Sequence, residues 1–267
     1  MDLKINVCMF SIALLAAGAV LALKGLWKKL TFREVFTGTL VYVFAKTMLA
    51  KILAGIVSAI FSYNTSMIGS ALISAGADAV SVFLCFVLVY KVFYKDDANS
   101  IVAVSLGAGA ALPEMVLTYG YTILSYAIVL NAVRNGSSAE MFAAQGIAEE
   151  SIAAMTEYFT AISITEIAAL ALRGLSCILV NVLVSMSIYY AYEHSERKYM
   201  LAAFAIILVF DLAGFVIGGI SEIAAIVVII LLFIASYVYI VGIRGNYIDS
   251  VWSEPDYVKK KSKTARR

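Results

Sequence analysis

Histidine is almost missing from this chain: among 267 residues there is one, His194, and it falls in a polar segment. Histidine-built metal centres and acid/base pairs are thereby excluded from its apolar stretches. Cysteine is scarce as well. Cys8, Cys85 and Cys177 lie in three different apolar segments with no CxxC or metal-type spacing, so neither a disulfide framework nor a zinc site is expected, and they read as small core residues. Charge is equally sparse, at 14% of residues against 63% hydrophobic, with a net charge of +2. No Walker motif and no soluble nucleotide domain stand out, so any energy coupling has to come from a partner or an ion gradient. No metal, no cofactor and no nucleic-acid partner are expected.

What is present is length of apolar helix. The mean hydropathy of +0.93 is that of an integral membrane protein. Spans are predicted at residues 5–23, 36–61, 67–92, 99–130, 159–192, 199–219 and 222–243, each meeting the ~20 residues that cross a bilayer core. The expected fold class is therefore all-α, a polytopic bundle of about seven transmembrane helices with a short external amphipathic helix. The fourth and fifth spans are long enough to tilt, break or emerge, and Pro113 predicts a break in the fourth.

Basic residues set the orientation, because they are retained in the cytoplasm. One set of loops holds Lys24, Lys28, Lys29 and Arg33, then Lys91 and Lys95, then Arg197 and Lys198, then a tail with Arg244, Lys259, Lys260, Lys261, Lys263, Arg266 and Arg267. Lys4 and Arg134 fall on the other side. The amino terminus is accordingly placed outside and the carboxyl terminus inside a plasma membrane, most simply the prokaryotic cytoplasmic membrane. The first span has its positive cluster after the apolar run and reads as a retained helix. Residues 1–243 form one transmembrane domain in this reading, and 244–267 a basic cytoplasmic tail that anchors topology or meets anionic lipid headgroups.

Residues 131–158 are the one sizeable external segment. Ser137-Ser-Ala-Glu140 has capping-box spacing, which predicts a helix start there. The acids Glu140, Glu149, Glu150 and Glu157 alternate with apolar residues, as suits an interfacial cap or a lid over an internal cavity. Asn64-Thr-Ser66 and Asn135-Gly-Ser137 fit the glycosylation pattern on the outer side.

Depth is the more informative property. Lys46, Asp78, Glu114, Arg173 and Asp211 fall near the middle of their spans, with Lys51 and Glu166 nearer the outside and Asn181 nearer the inside. A lone charge facing hydrocarbon is expensive, so these groups should point inward and neutralise one another. On the fifth span Glu166, Leu170, Arg173, Cys177, Asn181 and Ser185 share one face. The layer is either a buried network that fixes helix register, with Arg173 as central donor, or the lining of a catalytic chamber or polar path. Glu114 leans to the second, because Gly107, Gly109 and Pro113 permit a local break and close backbone approach. Gly214 and Gly218 have the small-xxx-small spacing of tight helix contact.

Gly107, Gly109 and Glu114 in one span, Arg173, Asn181 and Ser185 in the next, and Ile207 with Asp211 after it follow an order that resembles the YhfC-like intramembrane proteases, distant relatives of the glutamic CAAX-processing and bacteriocin-processing membrane enzymes. The likeness runs from Ile73 to Gly219. It implies a paired-glutamate and arginine motif after Ala75-Gly76, where this chain has Ala79, Val80 and Phe83, and histidines where it has Ala110, Asn181 and Ile207. Such an enzyme would activate water with a glutamate and use histidines to orient it and stabilise the oxyanion. Their loss implies a non-catalytic relative that binds a membrane segment, lipid or peptide, or serves as the membrane subunit of a complex. Two other readings stay open: a divergent protease pairing Glu114 with Asp78 or Asp211, and a transporter or proton-coupled permease with these residues at its midplane site.

Overall fold

The computed structural model describes residues 1–26, 30–60, 67–94 and 99–214, and beyond them 221, 223–224, 226–232 and 234–235. Every element in the described residues is helical, as the composition demands in lipid, where backbone groups must be satisfied within the segment. In order these are α1 (Asp2–Leu26), α2 (Phe32–Tyr42), a π-helical stretch π1 (Val43–Leu49), α3 (Ala50–Ile60), α4 (Met67–Phe93), α5 (Ser100–Pro113), a second π-helical stretch π2 (Glu114–Gly120), α6 (Tyr121–Arg134), α7 (Ser138–Ala144), α8 (Glu149–Ala161), α9 (Ile164–His194) and α10 (Arg197–Leu212).

Five stretches are long and apolar enough to cross a membrane: Asp2–Val20, Phe32–Ile60, Gly69–Phe93, Ser100–Arg134 and Ile164–Glu193. They coincide with the first five predicted spans. The sixth corresponds to α10, with π-helical backbone at 213–214. Half of the seventh lies outside the described residues, and Asn64-Thr-Ser66, Gly218 and the basic tail lie wholly outside them.

The predicted break at Pro113 does not occur. Helical backbone continues from Ser100 to Arg134, and the disruption takes the form of π2, which begins at the next residue. A proline lacks the N–H that should reach the carbonyl four residues earlier, here Gly109, and its ring crowds that carbonyl. Thr39 on α2 donates its hydroxyl to the Gly109 carbonyl at 3.1 Å, so the orphaned acceptor is satisfied from a neighbouring helix. The wider π turn accommodates the rest.

The fifth span starts later than residue 159. Ile162 and Ser163 separate α8 from α9, and the Ser163 hydroxyl caps α9 by accepting the Glu166 N–H at 2.9 Å. Asn99 does the same for α5 through the Val102 N–H at 2.9 Å. The external helix α7 begins at the predicted place with Ser137 as its N-cap residue, but the capping box is not made. Ser137 instead turns its hydroxyl back to the Ala132 carbonyl at 3.4 Å.

The chain divides into two compact units, Met1–Leu23 with Glu114–Leu175, and Lys24–Pro113 with Ser176–Arg267. In the first, α1 meets the start of α9 through small residues: a Cβ on Gly174 would lie 2.7 Å from Leu15, and one on Gly18 would strike Leu175. The cap helices α7 and α8 pack on α6 through Phe159, whose ring meets Tyr126 at 5.9 Å, Phe142 at 6.1 Å and Tyr158 at 5.3 Å between centroids. Lys4 reinforces the dock by donating to the Thr160 carbonyl at 2.7 Å. All four cap glutamates are exposed.

In the second unit α2 crosses α5 at glycine contact. A Cβ on Gly109 would run into the Val35 backbone carbonyl, and one on Gly38 into the Leu106 carbonyl, so neither position has room for a side chain. Gly107 faces the other way, toward α9, where a Cβ would lie 2.5 Å from Val182 Cα. π1 and α3 pack along α4, which also meets α10.

Candidate functional site

Three helices of the second unit bring a charge to one point. Lys46, in the middle of π1, extends its ammonium to Asp78 Oδ2 on α4 at 3.0 Å and to Asp211 Oδ1 on α10 at 3.2 Å. The three side chains differ in access: Asp211 is 3% exposed, against 15% for Lys46 and 19% for Asp78, so the deep end of the site is on α10. One ammonium between two carboxylates leaves a formal charge of −1 for the three groups. In a low-dielectric interior each pairing is strong and each unpaired group costly, which makes this triad a joint between helices as well as a polar centre.

The other midplane groups divide between the two units. Glu114, the first residue of π2, is buried at 5% exposure in the first unit. Arg173, also in the first unit, holds its guanidinium 5.4 Å from the centre of the Tyr119 ring, a cation–π stack contributed by the same π stretch that carries Glu114. Glu166 accepts the Tyr126 hydroxyl at 3.1 Å, in line with the aromatic cluster that seats the cap. On the second-unit half of α9, the buried Ser185 pairs with the Tyr90 hydroxyl at 2.9 Å. Asn181 donates to the Cys177 carbonyl of its own helix at 2.9 Å. The Cys177 thiol lies 3.5 Å from the Ala111 carbonyl.

Along the face predicted on the fifth span lie a tyrosine hydroxyl at 166, a tyrosine ring at 173, main-chain oxygens at 177 and 181, and a tyrosine hydroxyl at 185. The tyrosines were not among the anticipated site residues. Tyrosine counts as apolar in a hydropathy reading, yet its hydroxyl is the commonest way to satisfy a polar side chain in an apolar helix without adding charge. Gly38 and Thr39 are further unanticipated participants, since their roles depend on α5 lying beside them.

Among the described residues no group of three or more histidines, cysteines and acids is gathered in a way that could hold a metal ion. No family profile, no curated protein and no solved structure matches the chain.

Proposed function

We propose that this protein is a non-catalytic integral membrane protein of the YhfC-like bundle type, which binds a membrane segment, lipid or peptide or acts as the membrane subunit of a larger complex. It lies in a plasma membrane, of the prokaryotic cytoplasmic kind, with seven spans, the amino terminus outside and the carboxyl terminus inside. The orientation rests on the lopsided Lys and Arg count, to which α10 adds a helix where the sixth span was expected.

The observation that carries the non-catalytic reading is the engagement of both Asp211 and Asp78 by Lys46. Held in this way, each carboxylate serves as a joint between helices. The other residues on the protease-like pattern are similarly employed: Gly107 and Gly109 in helix contact, Ser185 with Tyr90, and Asn181 on its own helix. Affinity purification of the tagged protein from native membranes, beside Glu114→Gln, tests this. A stoichiometric partner retained by both forms is expected. Trimmed membrane peptides seen with the wild type and absent from Glu114→Gln would replace this reading with that of a divergent protease.

The uneven charge of the triad favours one second reading, a proton-coupled permease. Proteoliposomes carrying the protein would then acidify internally under an imposed potential, and Asp211→Asn would abolish the current.

A further inference from the structure

Lys46 and Lys51 stand on the same transmembrane segment, five residues apart, and meet opposite fates. Lys46 turns inward to two carboxylates. Lys51 is exposed on α3, and among the described residues no acid pairs with it. Its flanks are equally outward: Met48 is 54% exposed, Ile52 56% and Ile56 50%. The residue sits nine positions before the end of α3 at Ile60, about 13 Å along the axis, which is farther than a lysine side chain spans. Side chains on a helix also lean toward its amino-terminal end, so Lys51 leans away from the nearer end and deeper into the apolar layer. Reaching water by extension alone is therefore disfavoured, and an ammonium facing hydrocarbon is among the costliest arrangements in a membrane protein.

One and two turns further along the same side are Gly55 and Ala59, both exposed, at small-xxx-small spacing. A Cβ added to Gly55 would meet nothing within 4 Å, so among the described residues this glycine serves no close contact, unlike Gly38, Gly107 and Gly109. The surface thus combines a flat, small-residue track that lets a second helix backbone approach closely with a cation that no acid among the described residues meets.

We infer that the Lys51–Gly55–Ala59 face of α3 is the docking surface for a transmembrane helix of a different protein, carrying an aspartate or glutamate at the depth of Lys51. The inference rests on the partner-binding reading above and names the contact. A second copy of this chain is a poor occupant, because its own midspan acids are committed: Asp78 and Asp211 to Lys46, Glu166 to Tyr126, and Glu114 buried.

The probe is a synthetic polyleucine transmembrane peptide bearing a single central Asp, with Asn and Leu versions, mixed with the full-length protein in phosphatidylcholine vesicles and followed by energy transfer. The Asp peptide should associate about tenfold more tightly than the Leu peptide, an advantage lost in Lys51→Gln and reduced in Gly55→Leu. Equal association of the three peptides, or an advantage that survives Lys51→Gln, overturns the inference. So does energy transfer between two labelled copies of the protein that Lys51→Gln abolishes, which would assign the face to self-association. An Asp advantage that disappears in vesicles rich in anionic lipid would assign the ammonium to headgroups and equally overturn it. In native membranes, a partner retained equally by wild type and Lys51→Gln sinks this contact while leaving the partner-binding reading intact. Peptide trimming that depends on Glu114 sinks the reading itself.

Discussion

The Thr39 hydroxyl on α2 donates to the Gly109 carbonyl on α5, the acceptor that Pro113 leaves without its helical N–H. Two local oddities, a threonine in an apolar helix and a proline inside another, are therefore one structural feature. Thr39→Val, which keeps shape and removes the donor, should destabilise the protein by about 1–2 kcal/mol. Adding Pro113→Ala should recover most of that loss, because an alanine N–H can serve Gly109. Unfolding midpoints of the two single variants and the double variant in detergent would reveal the coupling, and strictly additive effects would show that the pairing is incidental.

Gly109 and Gly76 make a matched comparison. At Gly109 a Cβ meets the Val35 main chain, which cannot rotate aside, whereas at Gly76 it meets nothing within 4 Å. Gly109→Ala should lower stability by more than about 2 kcal/mol or prevent accumulation in the membrane. Gly76→Ala should be neutral or stabilising by up to about 1 kcal/mol, from helix propensity. Thermal stability of both purified variants settles the contrast, and similar losses at the two sites would contradict the close crossing of α2 and α5.

Removing Lys46 leaves two carboxylates facing each other. Lys46→Met should cost about 3–5 kcal/mol, the penalty of an uncompensated buried charge. The triple variant Lys46→Met, Asp78→Asn, Asp211→Asn should be closer to wild type than Lys46→Met alone. Of the two acids, Asp211→Asn should be the more damaging, since its carboxylate is 3% exposed against 19% for Asp78. Chemical denaturation of the set ranks them, and an inverted order for the two aspartates would move the deep end of the site to α4.

Phe159 is the pin of the external cap. Phe159→Ala should raise hydrogen exchange across 138–161 by about tenfold or more, without changing exchange in α4, because local opening depends on the few contacts that dock a segment. Tyr126→Phe should have a smaller effect in the same region through its bond to Glu166. Unchanged protection in the alanine variant would mean that the Lys4 bond to Thr160 suffices.

Hydropathy and helical rise made the apolar spans and the depth of Lys46, Asp78 and Asp211 readable, because both are properties of a segment taken alone. That they should turn inward and neutralise one another was expected, but that Lys46 would take both Asp78 and Asp211 was not readable, since it depends on which helices become neighbours. Gly107 and Gly109 illustrate the same limit. Beside Pro113 they suggested a local break and close backbone approach; the approach is made by α2 and α9, which the sequence did not name. Proline chemistry correctly marked the site of disturbance at residue 113, but the rescue by Thr39 lies on another helix and turned a break into a change of winding.

That change of winding has a counterpart in π1. Phe32, Phe36, Leu40, Phe44, Met48, Ile52, Ile56 and Ile60 recur every fourth residue and are all at least half exposed. On an ordinary α-helix a step of four overshoots a full turn by about 40°, so such a series would spiral around the cylinder. A wider turn undershoots over the same step and takes back part of the accumulated angle. π1 therefore acts as a phase corrector: it lets Lys46 aim at the bundle while keeping the residues before and after it on a common lipid-facing meridian, so deleting one residue between Val43 and Leu49 would swing Ile52, Ile56 and Ile60 off that meridian and carry the adjoining Lys51–Gly55–Ala59 face round with them.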